Sequence, residues 1–267
     1  MRFICFIHIE KAGGITMHAL LHKLFGGYVS PSPAFGEFFT AGELAALNRY
    51  WPFPLSGIGG HRMGAWLGYE EVLKRELFYF TFLRDPLQRY LSHLNWQMHV
   101  KRRFGRPEEF VADNYFDNFQ CYRIAGLRDA EKARAMLEER FAFTGLLEEY
   151  DRSLLLWRHA LGRPDLDLRY QRENVKNYGT QTIRREDLTD RLWKKIEEKN
   201  AEDMALYEWV RKELFPRQAQ AYGPGLEEDL TAFRQMNEGY SFPLSARWKR
   251  KASNALLGRV LQPLLGS

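Results

Sequence analysis

The segment from Phe3 to Leu24 constrains the fold most. Phe3-Ile4-Cys5-Phe6-Ile7-His8-Ile9 is an apolar run interrupted only by His8. It breaks at Glu10-Lys11-Ala12-Gly13-Gly14, and Ile15–Leu24 then has helical composition, with Leu20, Leu21 and Leu24 recurring at about one-turn spacing. A strand that leads through a glycine loop into a helix is the opening unit of an α/β protein. Two further apolar runs, Leu77–Leu83 and Phe141–Leu146, read as buried parallel strands set apart by helical pattern. After the second run, Asp85-Pro86 supplies an N-cap with proline at the first helical position, opening a helix through Leu87, Tyr90, Leu91 and Leu94. The expected class is α/β, a parallel sheet flanked by helices in a single domain.

Elsewhere the pattern is plainer. Residues 26–60 are broken by Pro31, Pro33, Pro52, Pro54 and several glycines, which predicts irregular structure around one short helix near Ala41–Arg49. Ala130–Arg140 and Tyr150–Leu161 read as amphipathic helices, and Asp187–Phe215 as two, with Asn200 capping the second. Beyond Phe215 the pattern weakens, so the expected division is a domain over 1–215 and a C-terminal extension over 216–267.

Charge separates the same two parts. The chain carries 39 Lys and Arg against 34 Asp and Glu, and residues 245–267 hold Arg247, Lys249, Arg250, Lys251 and Arg259 with no acid. Without those five, the body is neutral, which argues against a nucleic-acid-binding protein. Trp248-Lys249-Arg250-Lys251 with Ala255-Leu256-Leu257, Val260-Leu261 and Leu264-Leu265 reads as a basic amphipathic helix, fit either to lie on an anionic membrane or to dock on the body. Cys5 and Cys121 are far apart in sequence, so no disulfide is expected and a reducing, cytoplasmic setting is the better expectation. No stretch reaches the roughly 18–20 apolar residues of a membrane span.

Two segments carry chemistry. In the first, Gly13 and Gly14 let backbone N–H groups approach an anion at a helix N-terminus, Lys11 adds a full charge and Thr16 a hydroxyl. The triphosphatase loop places its lysine after the glycines; here Lys11 precedes them. In the second, Phe80-Thr81-Phe82-Leu83-Arg84-Asp85-Pro86-Leu87-Gln88-Arg89-Tyr90-Leu91-Ser92, Arg84 ends a strand and Ser92 lies two turns into the next helix, a combination suited to a phosphate monoester. Asp85 is read as a cap only, and Arg89 as the partner of a carboxylate.

Together the two segments resemble the nucleotide-binding signatures of the sulfotransferases that use 3′-phosphoadenosine 5′-phosphosulfate (PAPS), in the branch that includes the carbohydrate 2-O-sulfotransferases and many bacterial relatives. The resemblance implies a P-loop-like sheet. It also implies that Lys11, Ala12, Gly13, Gly14, Ile15 and Thr16 hold the 5′-phosphosulfate, and that Arg84 and Ser92 hold the 3′-phosphate. It continues weakly through Asp117-Asn118-Phe119-Gln120, Phe143-Thr144-Gly145-Leu146 and Asn200–Tyr207. Glu10 stands where the family commonly has proline, and Ala12 and Ile15 where it commonly has hydroxyl residues. Family members add cofactor contacts from a late loop, which here makes Lys176, in Arg172–Thr180, a candidate.

Transfer to a hydroxyl needs a base. His61, after Gly57-Ile58-Gly59-Gly60, is the candidate, because histidine accepts a proton near neutral pH and the resembling branch places a catalytic histidine after its second strand. Lys11 is the second catalytic candidate, offsetting charge on the departing phosphate. His8 reads as a core residue, with the alternative that it faces the site at the strand's end; His18 and His22 read as a helix surface; and Glu10 reads as a salt-bridge or substrate contact ahead of an alternative base. Lys101-Arg102-Arg103 with Arg106 is a solvated run that could receive an anionic acceptor. The expected function is transfer of the sulfonate from PAPS to a hydroxyl of a carbohydrate or glycolipid, without a metal. The alternatives are an ATP-dependent kinase, or a non-catalytic protein that binds a membrane or a partner through its tail.

Overall fold

A computed structural model describes residues 2–32, 36–173 and 182–265, with side chains at all of these except 245–247, 249 and 260–265. Its centre is a parallel sheet of β1 (Phe3–Ile7), β2 (Tyr28–Val29), β3 (Gly57–Gly60), β4 (Leu77–Leu83) and β5 (Phe141–Leu146), in the order β2-β3-β1-β4-β5. The α/β class and the parallel sheet flanked by helices are as the sequence implied, and the arrangement is consistent with a P-loop-like fold.

Alternation along the strands divides the core into two layers. Ile4 and Phe6 of β1, with Phe78, Phe80 and Phe82 of β4, pack against Leu20 and Leu21 of α1 (Gly14–Leu24) and Trp157 of α8 (Tyr150–Leu161). Phe3, Cys5 and Ile7 face the other way, toward Leu44 and Leu47 of α2 (Ala41–Tyr50). The central strands are apolar on both faces because helices cover both. Cys5 and Cys121 are free and buried.

Residues 26–60, expected to be irregular apart from one helix, also supply β2 and β3. The Gly-rich stretch before His61 is a strand, not a loop. Space decides this: a Cβ at Gly57 would come within 2.7 Å of the Ile4 Cβ, and one at Gly59 within 2.7 Å of the Phe6 Cβ and 2.2 Å of the Tyr28 hydroxyl. Glycines let β3 lie against β1 under the aromatic rings of its neighbours, and they hide the usual strand composition.

The helical elements follow the sequence closely. Asp85 accepts from the Gln88 N–H at 2.8 Å and Pro86 opens α4 (Pro86–His99). The cap expected from Asn200 comes from elsewhere. Asn200 Nδ2 bonds back to the Ile196 carbonyl at 2.8 Å, while Asn118 Oδ1 accepts from Glu202 N–H at 3.0 Å and Asp203 N–H at 3.2 Å at the start of α10 (Ala201–Trp209). Asp203 returns the favour, accepting from the N–H groups of Gln120 and Cys121 in α6 (Phe119–Ala125).

The boundary drawn at 215 falls within an unbroken helical run from Ala201 to Tyr222. Beyond it, α12 (Leu226–Asn237) buries Leu230 and Phe233 in the main core, and α13 (Leu244–Leu265) buries Leu257 in the second layer, while Leu244 and Trp248 stay exposed. The tail helix thus docks on the body. No helix among the described residues is long and apolar enough to cross a membrane.

Candidate functional site

β1 pairs with β3 on one side and β4 on the other, so the chains leaving these strands diverge around a crevice at their carboxyl ends, where open α/β sheets place ligands. A cavity of about 590 Å³ opens there. Lys11 reaches it from the end of β1, His61 from β3, Arg84 from β4, and Leu147 from β5. Gly13, Gly14, Ile15 and Thr16 line it from the start of α1, and Ser92 from α4. Two sequence segments some seventy residues apart therefore meet in one cavity.

The glycine loop is shaped for an anion. Gly13 sits in the left-handed region at φ 80°, and so does Lys11 at φ 71°, a conformation that costs a non-glycine residue about 1–2 kcal/mol. No side chain among the described residues caps α1, and its first turn holds no acid, so among those residues its leading N–H groups face the cavity without a competitor. Arg84 Nη1 donates to the Lys11 carbonyl at 3.1 Å and braces the loop. Arg84 is itself held at its backbone, where its N–H and C=O bond the Gln120 side chain at 3.0 and 2.9 Å. The Lys11 ammonium lies 5.7 Å from the centre of the Trp96 ring.

Thr16 is buried, and its Oγ1 accepts from the Glu173 N–H at 3.1 Å, which leaves its own O–H to donate. Ala12 does not reach the cavity; its methyl group turns into the core. Ile15 lines the cavity and is 42% exposed. Lys176 lies outside the described residues. Its neighbours Arg172 and Glu173, from the same polar stretch, do line the cavity, and Glu173 is fastened to Arg250 of α13 at 2.5 Å.

His61 is half-exposed, and among the described residues its Nδ1 faces only acceptors: the His8 carbonyl at 3.3 Å and the Glu10 carboxylate at 3.6 Å. This network assigns the proton to Nδ1 and leaves the Nε2 lone pair to act as a base. Glu10 is gripped from behind by buried Arg123, at 3.0 and 3.2 Å. Burial alone would raise the Glu10 carboxyl, but the charges and hydrogen bonds of His61 and Arg123 outweigh it and hold the group down at about 2. Glu10 is the salt-bridge residue that its place beside Lys11 suggested.

Two other histidines depart from expectation. His18 and His22 are not a helix surface: His22 is buried, and His18 bonds His8 and Tyr28 through both ring nitrogens. His8 is buried yet lines the cavity. Arg89, expected to pair with a carboxylate, instead lies over Phe119 with Nη1 3.3 Å from His93 Nδ1, because α4 turns its side chain into the core. The walls contributed by Trp96, Tyr150 and Tyr170 were not singled out from sequence. Trp96 was within reach, since it follows Ser92 by one helical turn and shares its face. No three His, Cys, Asp or Glu side chains among the described residues are grouped to hold a metal.

Comparison with protein-family models and with curated proteins finds no match to this chain.

Proposed function

We propose that the protein transfers the sulfonate group of PAPS to a hydroxyl of a carbohydrate acceptor. One observation carries the reading: the lysine–glycine loop with Thr16, the Arg84 and Ser92 pair, and His61 all line a single cavity at the sheet's carboxyl edge. Together with the motif resemblance, that arrangement supplies each part the reaction needs.

In this reading the uncapped start of α1 and Lys11 receive the 5′-phosphosulfate, and Arg84 and Ser92 the 3′-phosphate. The acceptor hydroxyl gives its proton to His61 Nε2 while its oxygen attacks sulfur, and the bond from sulfur to the bridging phosphate oxygen breaks. The products are the sulfate ester and 3′-phosphoadenosine 5′-phosphate. Charge on the leaving phosphate is met by Lys11 and the helix terminus, the kind of preorganised stabilisation that is worth most in a partly dry site. A positioned base contributes about 10²–10⁴-fold to the rate.

Isothermal titration with 3′-phosphoadenosine 5′-phosphate tests the reading. Binding to the wild type and a loss of at least about tenfold in Arg84→Ala are expected, in line with a charged hydrogen bond. No binding by the wild type, or a preference for ATP with magnesium, would sink it in favour of the kinase alternative.

A further inference from the structure

Behind the glycine loop runs a buried chain of hydrogen bonds. The Tyr28 hydroxyl on β2 lies 2.7 Å from His18 Nδ1, and His18 Nε2 lies 3.0 Å from His8 Nδ1. Its direction is determined by the phenol. His18 is the one hydrogen-bond partner of that hydroxyl among the described residues, so a Tyr28 that accepted would strand its own buried O–H, which costs more than the bond returns. Tyr28 therefore donates, His18 carries its proton on Nε2 and donates a hydrogen bond from it to His8 Nδ1, and the proton of a neutral His8 sits on Nε2.

His8 is neutral. It is 4% exposed, and burial first, then repulsion of a second positive charge by the neighbouring basic groups His61, His18, Arg123 and Lys11, hold its imidazole well below its usual pKa. Its Nε2 makes no hydrogen bond to any described residue and points at the loop. A Cβ added to Gly14 would lie 1.8 Å from it. The backbone of Gly14 is not in the left-handed region, so no backbone strain demands glycine there; the His8 ring does.

We infer that His8 donates a hydrogen bond from Nε2–H to the anion held at the Gly13–Gly14 turn, with His18 and Tyr28 acting as positioning residues that fix its tautomer. The inference rests on the reading that a phosphate or sulfonate group occupies this turn. A neutral donor suits that place, since it binds an oxygen of the group in the same protonation state before and after transfer.

Long-range ¹H–¹⁵N NMR of the free protein reads the tautomer without any ligand. His8 is expected as Nε2–H in the wild type and as a mixture in Tyr28→Phe; an Nδ1–H form in the wild type overturns the inference. Titration with 3′-phosphoadenosine 5′-phosphate, and separately with inorganic pyrophosphate, reads the contact. His8→Ala should weaken binding by at least about tenfold, and His8→Gln, with a donor near the Nε2 position, should recover most of it. Tyr28→Phe should cost only about twofold, because half the molecules still present the donor. Binding within twofold of wild type in a folded His8→Ala, or no binding of either anion by the wild type, refutes the contact. Pyrophosphate binding that depends on His8, without nucleotide binding, keeps this inference and removes the sulfotransferase reading.

Discussion

Arg84 and Lys11 are joined by a hydrogen bond from a guanidinium to a strained carbonyl: Arg84 Nη1 reaches Lys11 O at 3.1 Å while the Lys11 backbone holds φ 71°. A residue kept in the left-handed region at the lip of a cavity marks a place where the chain gives up stability to aim a side chain. Lys11→Gly separates the two effects. Thermal unfolding should show stability unchanged or raised by up to about 1 kcal/mol, since glycine takes this φ freely. Nucleotide affinity should fall by at least about tenfold with the loss of the charge. Affinity retained in this variant would exclude Lys11 as a ligand contact.

Glu10 ties the proposed base to the core. Glu10→Gln removes the bidentate partner of buried Arg123 and should destabilise the protein by about 2–3 kcal/mol in urea unfolding, below the full figure for a buried pair because Glu10 is partly exposed. It also weakens the acceptor that assigns the His61 proton to Nδ1. Turnover should fall with little change in KM, within the roughly 10²–10⁴-fold that a positioned base supplies. Unchanged turnover in a folded but destabilised Glu10→Gln would assign Glu10 a purely structural role.

Three buried histidines make stability depend on pH. Burial, reinforced by the Arg250 guanidinium, lowers His22 to about 4, and burial followed by the neighbouring histidines holds His8 and His18 well below their usual value. With folded values below the unfolded value near 6.5, the unfolded chain binds protons the native state refuses. Stability is full above about 6.5 and falls as pH drops, through about 4 for His22 and further for the other two. Glu10 adds to the same trend later: its contribution is present above about 4.5 and lost as pH falls toward 2. Urea titrations between pH 7.5 and 5 should show a slope of up to about 1.4 kcal/mol per pH unit for each histidine, and His22→Phe should remove one such share. Stability independent of pH over that range would contradict the buried, neutral assignment.

How far the sequence reached depended on whether a signal was local. The strands Leu77–Leu83 and Phe141–Leu146 and the helices Ala130–Arg140 and Tyr150–Leu161 coincide with the structure, because apolar runs and helical periodicity act over a few residues. β3 was missed because its four residues are Gly57, Ile58, Gly59 and Gly60, and the reason for glycine there is the presence of Ile4, Phe6 and Tyr28 on other strands. The α10 cap was assigned to the adjacent Asn200, whereas the atom that fills it belongs to Asn118, some eighty residues earlier.

At the site the same division holds. The order of residue types in Phe3–Thr16 and Phe80–Ser92 was enough to name Lys11, Gly13, Gly14, Thr16, Arg84 and Ser92 as cavity residues, since a strand that ends in a glycine turn or in an arginine delivers them to one edge of a parallel sheet. Ala12 was named with them and turns inward, because a loop with two left-handed residues reverses its side chains in a way that spacing does not record. Only the tertiary structure decided which groups face one another: Glu10 against His61 and Arg123, His8 against Gly14, and Arg250 against Glu173. Sequence determines which chemistry each strand end carries. The protonation and tautomer that turn it to use depend on distances between strands, and those exist only once the sheet has closed.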